Sequence, residues 1–139
     1  MFQIEIKLRF RSGHRLIKPY EGKCNNPHGE GYTAICIFEK EKLDKCGMIM
    51  DFGVAKKYIK EWLDKYWDHA FICHEDDEMK QVLQDRGHKI YVMCVNPTAE
   101  NMVSDIWARL EHSLYSVNVF LVSLELYETE SSCARKTNG

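Results

Sequence analysis

The sequence predicts an α+β fold in which two amphipathic helices cover one face of an antiparallel sheet. Two segments near the N-terminus alternate apolar and polar residues, which is the period of a strand with one buried face. Two longer segments farther along repeat apolar residues at three-and-four spacing, which is the period of a helix with one buried face. The region near the C-terminus is rich in β-branched and aromatic residues and closes the sheet.

The first strand has an apolar face made of alternate residues, which are Phe2, Ile4, Ile6, Leu8 and Phe10. Continuing this alternation through Ser12 puts His14 on the same inward face. The second strand has Tyr32, Ala34, Cys36 and Phe38 on its inward face. Extending it backwards puts His28 and Glu30 on that face too. Two histidines and a carboxylate therefore face inward, His14 at the end of the first strand and His28 and Glu30 at the start of the second.

The first helix follows Asp51, a good N-cap residue, and has an apolar stripe of Ala55, Tyr58, Ile59, Trp62, Leu63 and Tyr66. A short charged helix is expected over 75–85 and an extended segment over 89–95. Thr98 or a neighbour caps the second long helix, with a stripe of Met102, Val103, Ile106, Trp107, Leu110 and Leu114. A strand is expected over 117–127, and a weak last strand over 131–136.

Composition narrows the function classes. A chain of 139 residues predicts one domain, 1–139, in which large sites are often built between subunits. The net charge of −2 gives no reason to expect nucleic acid or an anionic membrane as a partner. The first residues alternate rather than forming the apolar core of a signal peptide, and no apolar run approaches the length of a membrane span, so we expect a cytoplasmic protein. The six cysteines lack paired zinc-finger spacing and are expected to be free thiols, with Cys36 and Cys94 in the core.

The inward-facing His14, His28 and Glu30 are candidate zinc ligands. Residues at i and i+2 on one strand can share a metal, and a neighbouring strand can supply the third ligand. Catalytic zinc commonly takes three protein ligands from histidine and carboxylate and keeps one position open. On spacing alone, an equally good interpretation is that the histidines are ordinary strand residues and Glu30 a solvated charge.

Six short motifs, in this order along the chain, resemble those of the 6-pyruvoyl-tetrahydropterin synthase superfamily. They are Gly13-His14, Cys24-x-x-x-His28-Gly29, Gly47-Met-Ile-Met-Asp51-Phe52, Asp68-His69, Asn96-Pro-Thr-Ala-Glu-Asn101 and Tyr127-Glu128-Thr129. The three-residue spacer between Cys24 and His28 resembles the 6-carboxy-tetrahydropterin synthase branch of queuosine biosynthesis. Six motifs in register are far more specific than any one of them.

The resemblance implies a tunnelling fold, in which sheets of several subunits close into a barrel with active sites at the interfaces, usually as a hexamer. It implies a zinc-dependent lyase that converts 7,8-dihydroneopterin triphosphate to 6-carboxy-tetrahydropterin, releasing acetaldehyde and triphosphate. It also implies that Cys24 is the general base and His69, oriented by Asp68, its acid/base partner. By the same resemblance Glu128 binds the pterin ring. Thr98 is a candidate for substrate binding, although its main role is expected to be the helix cap.

Glu30 departs from the family, whose third metal ligand is histidine. Zinc accepts a glutamate oxygen at nearly the same distance, but the added negative charge makes the metal a weaker Lewis acid. The alternatives are a pyruvoyl-type synthase or related dihydropterin side-chain enzyme and, from another class, a non-catalytic oligomeric pterin-binding paralogue. Arg15 and Lys23 flank the site and are candidates for contacts with the triphosphate, although long cations at a strand end are usually just solvated.

Overall fold

Six strands and three helices make up the fold. The structure is a computed structural model that describes residues 1–139. In chain order the elements are β1 (Phe2–His14), β2 (His28–Lys40), α1 (Phe52–Tyr66), β3 (Phe71–His74), α2 (Met79–Asp85), β4 (Ile90–Met93), α3 (Ala99–Leu110), β5 (Phe120–Thr129) and β6 (Ser132–Thr137). Short 3-10 turns lie at Lys23–Asn25 and Tyr115–Val117. The predicted α+β class is confirmed.

The six strands form one sheet in the order β4-β3-β1-β2-β5-β6. Strands β1, β2, β5 and β6 are antiparallel, as predicted. The sheet as a whole is mixed, because β3 and β4 add to the β1 edge in parallel. Strand β3 was not predicted from the sequence. It has only four residues, which is too short for a periodic pattern to show.

The core lies between one face of this sheet and the helices α1 and α3. The β1–β2 register pairs Ile6 with Cys36 and Phe10 with Tyr32, so the inward residues of the two strands are direct neighbours. The rings of Phe10 and Tyr32 stack with centroids 4.9 Å apart. Buried residues of both helices join this same cluster, namely Ala55, Ile59 and Leu63 of α1 and Met102, Val103, Ile106, Trp107 and Leu110 of α3. The prediction of two helices on one face is confirmed.

Both predicted helix caps are present. The Asp51 carboxylate accepts hydrogen bonds from the backbone N–H groups of Gly53 and Val54, and the Thr98 hydroxyl accepts one from the Asn101 N–H. Helix α3 ends at Leu110, so Leu114 lies beyond it but still packs against the core. No helix here is both long enough and apolar enough to cross a membrane.

Two of the three expectations for the cysteines are confirmed. All six cysteines are free thiols, and Cys36 is buried on the inward face of β2. Cys94 is exposed, so its assignment to the core was wrong. It lies just after β4, which ends at Met93, and the apolar run around it continues past the end of the strand.

An ion pair anchors the end of β1 next to His14. The Arg15 guanidinium donates two hydrogen bonds, of 2.7 and 2.5 Å, to the fully buried carboxylate of Asp77. Asp77 also accepts a hydrogen bond from the N–H of Met79 at the start of α2. Burial by itself would raise the pKa of Asp77, but the hydrogen bonds from Arg15 and Met79 lower it below its usual value.

We therefore expect Asp77→Asn to lower the free energy of unfolding by about 3 kcal/mol at neutral pH, because it removes the buried counter-ion of a mostly buried guanidinium and leaves only the exposed Glu78, 3.8 Å away. The carboxylate has a lowered pKa in the folded state, so its contribution is present above the unfolded pKa of about 4 and is lost as pH falls through the folded value. The measurement is urea unfolding of both proteins from pH 7 down to pH 3. A difference between the proteins that stayed constant below pH 4 would contradict the assignment to Asp77 ionisation.

Candidate active site

The side chains of His14, His28 and Glu30 converge at one end of the β1–β2 pair. His14 and His28 are direct partners in the strand register. The Glu30 Oε1 atom lies 3.1 Å from His28 Nε2 and 3.9 Å from His14 Nε2. One ligand atom from each residue lies within 4.8 Å of the others. Three atoms of this kind at this separation can hold a single metal ion.

Backbone carbonyls orient both imidazoles toward this point. His14 Nδ1 is 2.9 Å from the oxygen of Pro97, and His28 Nδ1 is 2.7 Å from the oxygen of Asn26. A carbonyl can only accept, so each Nδ1 carries the proton and each Nε2 keeps its lone pair in the neutral ring. Second-shell hydrogen bonds of this type are usual for metal-binding histidines.

Asn96 holds the Pro97 carbonyl in place. Its side-chain amide exchanges hydrogen bonds of 2.9 and 2.8 Å with the backbone of Ile17, which ties the loop before α3 to the chain just after β1. The Asn101 side chain in turn donates to the Asn96 carbonyl. These supporting roles were not predicted from the sequence, although Asn96 and Asn101 both lie in the Asn96–Asn101 motif.

The electrostatics of His14 suit a ligand. The residue is 2% exposed, and burial lowers its pKa, which keeps the ring neutral at physiological pH. Its Nε2 is a buried polar atom without a hydrogen-bond partner. Buried polar atoms are nearly always paired, so this one points to a partner that the protein does not itself supply. The three residues therefore fit a divalent metal, and their roles as ligands stay a prediction.

Cys24 lies beside this cluster. It belongs to the 3-10 turn Lys23–Asn25, and its N–H and carbonyl are both engaged, by the Tyr20 hydroxyl and by the Leu16 N–H. The half-buried residue lines a cavity of about 220 Å³. The other residues lining this cavity include His14, Thr98 and Glu128. Four residues selected from the sequence are thus brought together.

Glu128 lies in a β-bulge of β5. Its neighbours Tyr127 and Thr129 pair with the adjacent β6 residues Cys133 and Ser132, so Glu128 is the extra residue. Bulges often redirect a side chain toward a site. The residue is half-buried, and burial raises its pKa, with Glu30 and Glu100 adding to the increase through like-charge repulsion. Cys133 also lines the cavity and was not predicted from the sequence.

Asp68 and His69 lie outside the Cys24 cavity, although His69 also lines a second cleft together with His28 and Glu30. They line a cleft on the face of β1, β2 and β5 opposite to α1 and α3, and neither lines the cavity of Cys24. His69 Nδ1 is 2.9 Å from Asp68 Oδ2, and the other carboxylate oxygen of Asp68 accepts from the Arg11 N–H. The predicted aspartate–histidine pair is therefore formed, but a single chain does not bring it to the thiol.

The backbone of His69 is unusual. The residue has a φ of 58°, in the left-handed region that costs a residue with a side chain roughly 1–2 kcal/mol. Its N–H donates to the Arg11 carbonyl, which holds this conformation in place. The imidazole itself is 77% exposed. A strained backbone that presents an exposed histidine, oriented by a carboxylate, points to a role outside the chain's own core.

Comparison with known proteins tests the resemblance found in the sequence motifs. The family model described as 6-pyruvoyl tetrahydropterin synthase matches residues 3–138. A Rickettsia conorii protein named 6-carboxy-5,6,7,8-tetrahydropterin synthase is 40% identical over 132 residues, which cover 93% of this chain and 95% of that protein.

Two solved structures share the fold. The Caenorhabditis elegans 6-pyruvoyl tetrahydropterin synthase superposes with a TM-score of 0.71 at 23% identity, covering 99% of this chain and 96% of that one. An uncharacterized Wolinella succinogenes protein gives 0.85, also at 23% identity, covering 99% and 98%. The family match runs through every motif on which the resemblance was based, and this chain belongs to the 6-pyruvoyl tetrahydropterin synthase family.

Proposed function

We propose that this protein is a zinc-dependent carbon–carbon lyase that converts 7,8-dihydroneopterin triphosphate to 6-carboxy-5,6,7,8-tetrahydropterin, with release of acetaldehyde and triphosphate. The observation that carries the proposal is the cavity shared by Cys24, Glu128 and His14, because it places a thiol and a carboxylate beside the candidate metal ligands. The names of the similar Rickettsia proteins support this reaction within the family.

His14, His28 and Glu30 are the residues that would hold zinc. When bound there, the metal supplies Lewis-acid polarisation of the oxygens on the substrate side chain. The Pro97 and Asn26 carbonyls keep both Nε2 atoms available for it. Glu30 contributes a negative charge where the family has a neutral histidine.

Cys24 is placed to move a proton. Cys24 lines the cavity while its backbone groups are held by Tyr20 and Leu16, so the thiol would have a fixed position beside a substrate bound there. Glu128 would anchor the pterin ring, since a carboxylate accepts two parallel hydrogen bonds from adjacent ring N–H groups. The half-buried setting of Glu128 strengthens such bonds because water competes less for them.

Asp68 and His69 would complete the site from a second copy of the chain. They lie outside the Cys24 cavity, His69 is exposed, and the sheet ends in the two strands β4 and β6. Unpaired strand edges favour association with further strands. A closed assembly, a hexamer of two trimers, would let the histidine of one subunit serve the thiol of its neighbour.

Product analysis distinguishes this function from its alternatives. The purified protein is incubated with 7,8-dihydroneopterin triphosphate, and acetaldehyde and the pterin product are measured. Acetaldehyde together with the 6-carboxy product supports the proposal. A 6-pyruvoyl product without acetaldehyde would identify the alternative synthase activity, and pterin binding without turnover would identify a non-catalytic paralogue.

We predict that Cys24→Ala abolishes turnover and leaves metal content and pterin affinity nearly unchanged, because the thiol moves a proton and holds neither ligand. Turnover, zinc per subunit and pterin affinity are measured together. The matched control is Cys94→Ala, which removes an exposed thiol outside the cavity and should keep full activity. Loss of zinc in Cys24→Ala would instead identify the thiol as a ligand.

Glu30 is expected to be needed for metal binding. Glu30→Gln should lose most of the zinc, because a neutral amide is a much weaker ligand than a carboxylate. Glu30→His should keep the metal and restore the family's ligand set. Elemental analysis of zinc per subunit in one buffer compares both variants with the parent, with Glu128→Gln as the control for loss of a nearby carboxylate. A full complement of zinc in Glu30→Gln would remove Glu30 from the ligand set.

We expect light scattering at micromolar concentration to show a hexamer, or at least a trimer. A second measurement tests whether the sites are shared. Cys24→Ala and His69→Ala should each be inactive, and hybrids formed by dissociating and reassociating the two variants together should recover part of the activity. A monomer, or hybrids that form but show no activity, would rule out a site built by two subunits.

A further inference from the structure

A row of three cations lies on β1, on the face of the sheet opposite to α1 and α3. Lys7, Arg9 and Arg11 are alternate residues of the strand, so their side chains point to the same side. All three are exposed. None lies within ion-pair distance of a carboxylate, whereas Arg15, Lys57, Lys60 and Arg135 all do.

This row lines a cleft of about 710 Å³. Polar side chains on the neighbouring strands complete the lining, among them Thr33, Tyr127 and Thr129. Gly31 pairs with Arg11 in the register, and a Cβ atom added at Gly31 would meet no atom within 4 Å. The space next to the Arg11 side chain is therefore open.

The acidic groups in the cleft do not cancel these cations. Asp68 and Glu130 are the two carboxylates in the lining. The Asp68 carboxylate is already occupied by the Arg11 N–H and by His69. Glu130 has no ion-pair partner and lies in the turn between β5 and β6. Three cations with one uncommitted carboxylate leave the cleft with a positive charge, although the chain as a whole is negative.

We propose that this cleft binds an oligophosphate chain, with Arg9 and Arg11 as its main contacts and Lys7 at one end. Alternate residues of a strand are about 6.7 Å apart, so two guanidinium groups can hold different phosphates of one chain. Arginine matches phosphate oxygens with paired hydrogen bonds, and lysine adds a point charge. His69 lines the same cleft, which puts the bound anion beside the proposed acid/base residue.

On the proposed function, the anion is the triphosphate of the substrate. Arg15 and Lys23, which the sequence suggested as triphosphate contacts, are less suited to this role. Arg15 is held by Asp77 in a mostly buried ion pair, and Lys23 lines neither this cleft nor the Cys24 cavity. Arg9 and Arg11 are uncommitted and lie on the strand that ends in His14.

The test uses inorganic triphosphate as the probe, with calorimetric titration of the full-length protein at fixed ionic strength. Arg9→Gln/Arg11→Gln should weaken binding by about tenfold or more, because charge-assisted hydrogen bonds are lost. The matched control is Lys56→Gln/Arg86→Gln, which removes the same charge from exposed positions outside the cleft. Unchanged binding in the arginine variant, or equal weakening in both, would overturn the proposal.

Kinetics then identify the source of the anion and separate this inference from the proposed function. If the site holds the substrate's own triphosphate, the arginine variant raises the KM for 7,8-dihydroneopterin triphosphate and leaves the affinity for unphosphorylated 7,8-dihydroneopterin unchanged. If it holds a free oligophosphate, triphosphate binding weakens and that KM does not change. Zinc per subunit should be the same in all variants. Triphosphate binding that depends on Arg9 and Arg11 supports the site even if no lyase activity is found.

Discussion

The antiparallel register of β1 on β2 is the constraint on which the rest of the structure depends. It pairs Ile6 with Cys36, Phe10 with Tyr32 and His14 with His28, so a single alignment sets both the core and the candidate metal site. A slip by one residue would turn every inward side chain outward. The apolar pairs that bury the sheet against α1 and α3 therefore also hold the two imidazoles together. Because successive side chains of a strand point to opposite faces, Arg9 and Arg11 lie on the other side of the same strand.

The loop contacts around His14 orient its ring at the end of a stable sheet. Asn96 ties the start of α3 to the chain after β1, and the Pro97 carbonyl thereby reaches the His14 ring. On the other side, Arg15 fixes the same strand end to Asp77. The Pro97 carbonyl orients the His14 ring and the Arg15–Asp77 pair holds the strand end that carries it, which is the kind of preorganisation that a metal ligand needs.

Charge is unevenly distributed between the two faces. Glu30 and Glu100 lie close enough to Glu128 to raise its pKa, in addition to the effect of burial. The candidate metal ligands lie on this acidic side. The opposite cleft has three unpaired cations next to His69. A cation on one side and an oligophosphate on the other would each offset the local excess of charge. On the proposed function, the neutral pterin ring would lie in the Glu128 cavity and the triphosphate in the cleft, and these two sites lie on different faces of one chain. A second subunit would have to bring them together.

The sequence by itself determined the features that depend on local periodicity and local hydrogen bonding. Alternation along β1 and β2 was enough to put His14, His28 and Glu30 on one inward face, and the caps at Asp51 and Thr98 follow from neighbours within three residues. Only the tertiary structure decided what depends on contacts distant in sequence. Strand β3 is too short to show a period and exists because it pairs with β1 and β4, and the Pro97 carbonyl reaches His14 across 83 residues. The position of His69 outside the Cys24 cavity was also decided by the tertiary structure, because it depends on the path of the chain between α1 and β3, which no local pattern records.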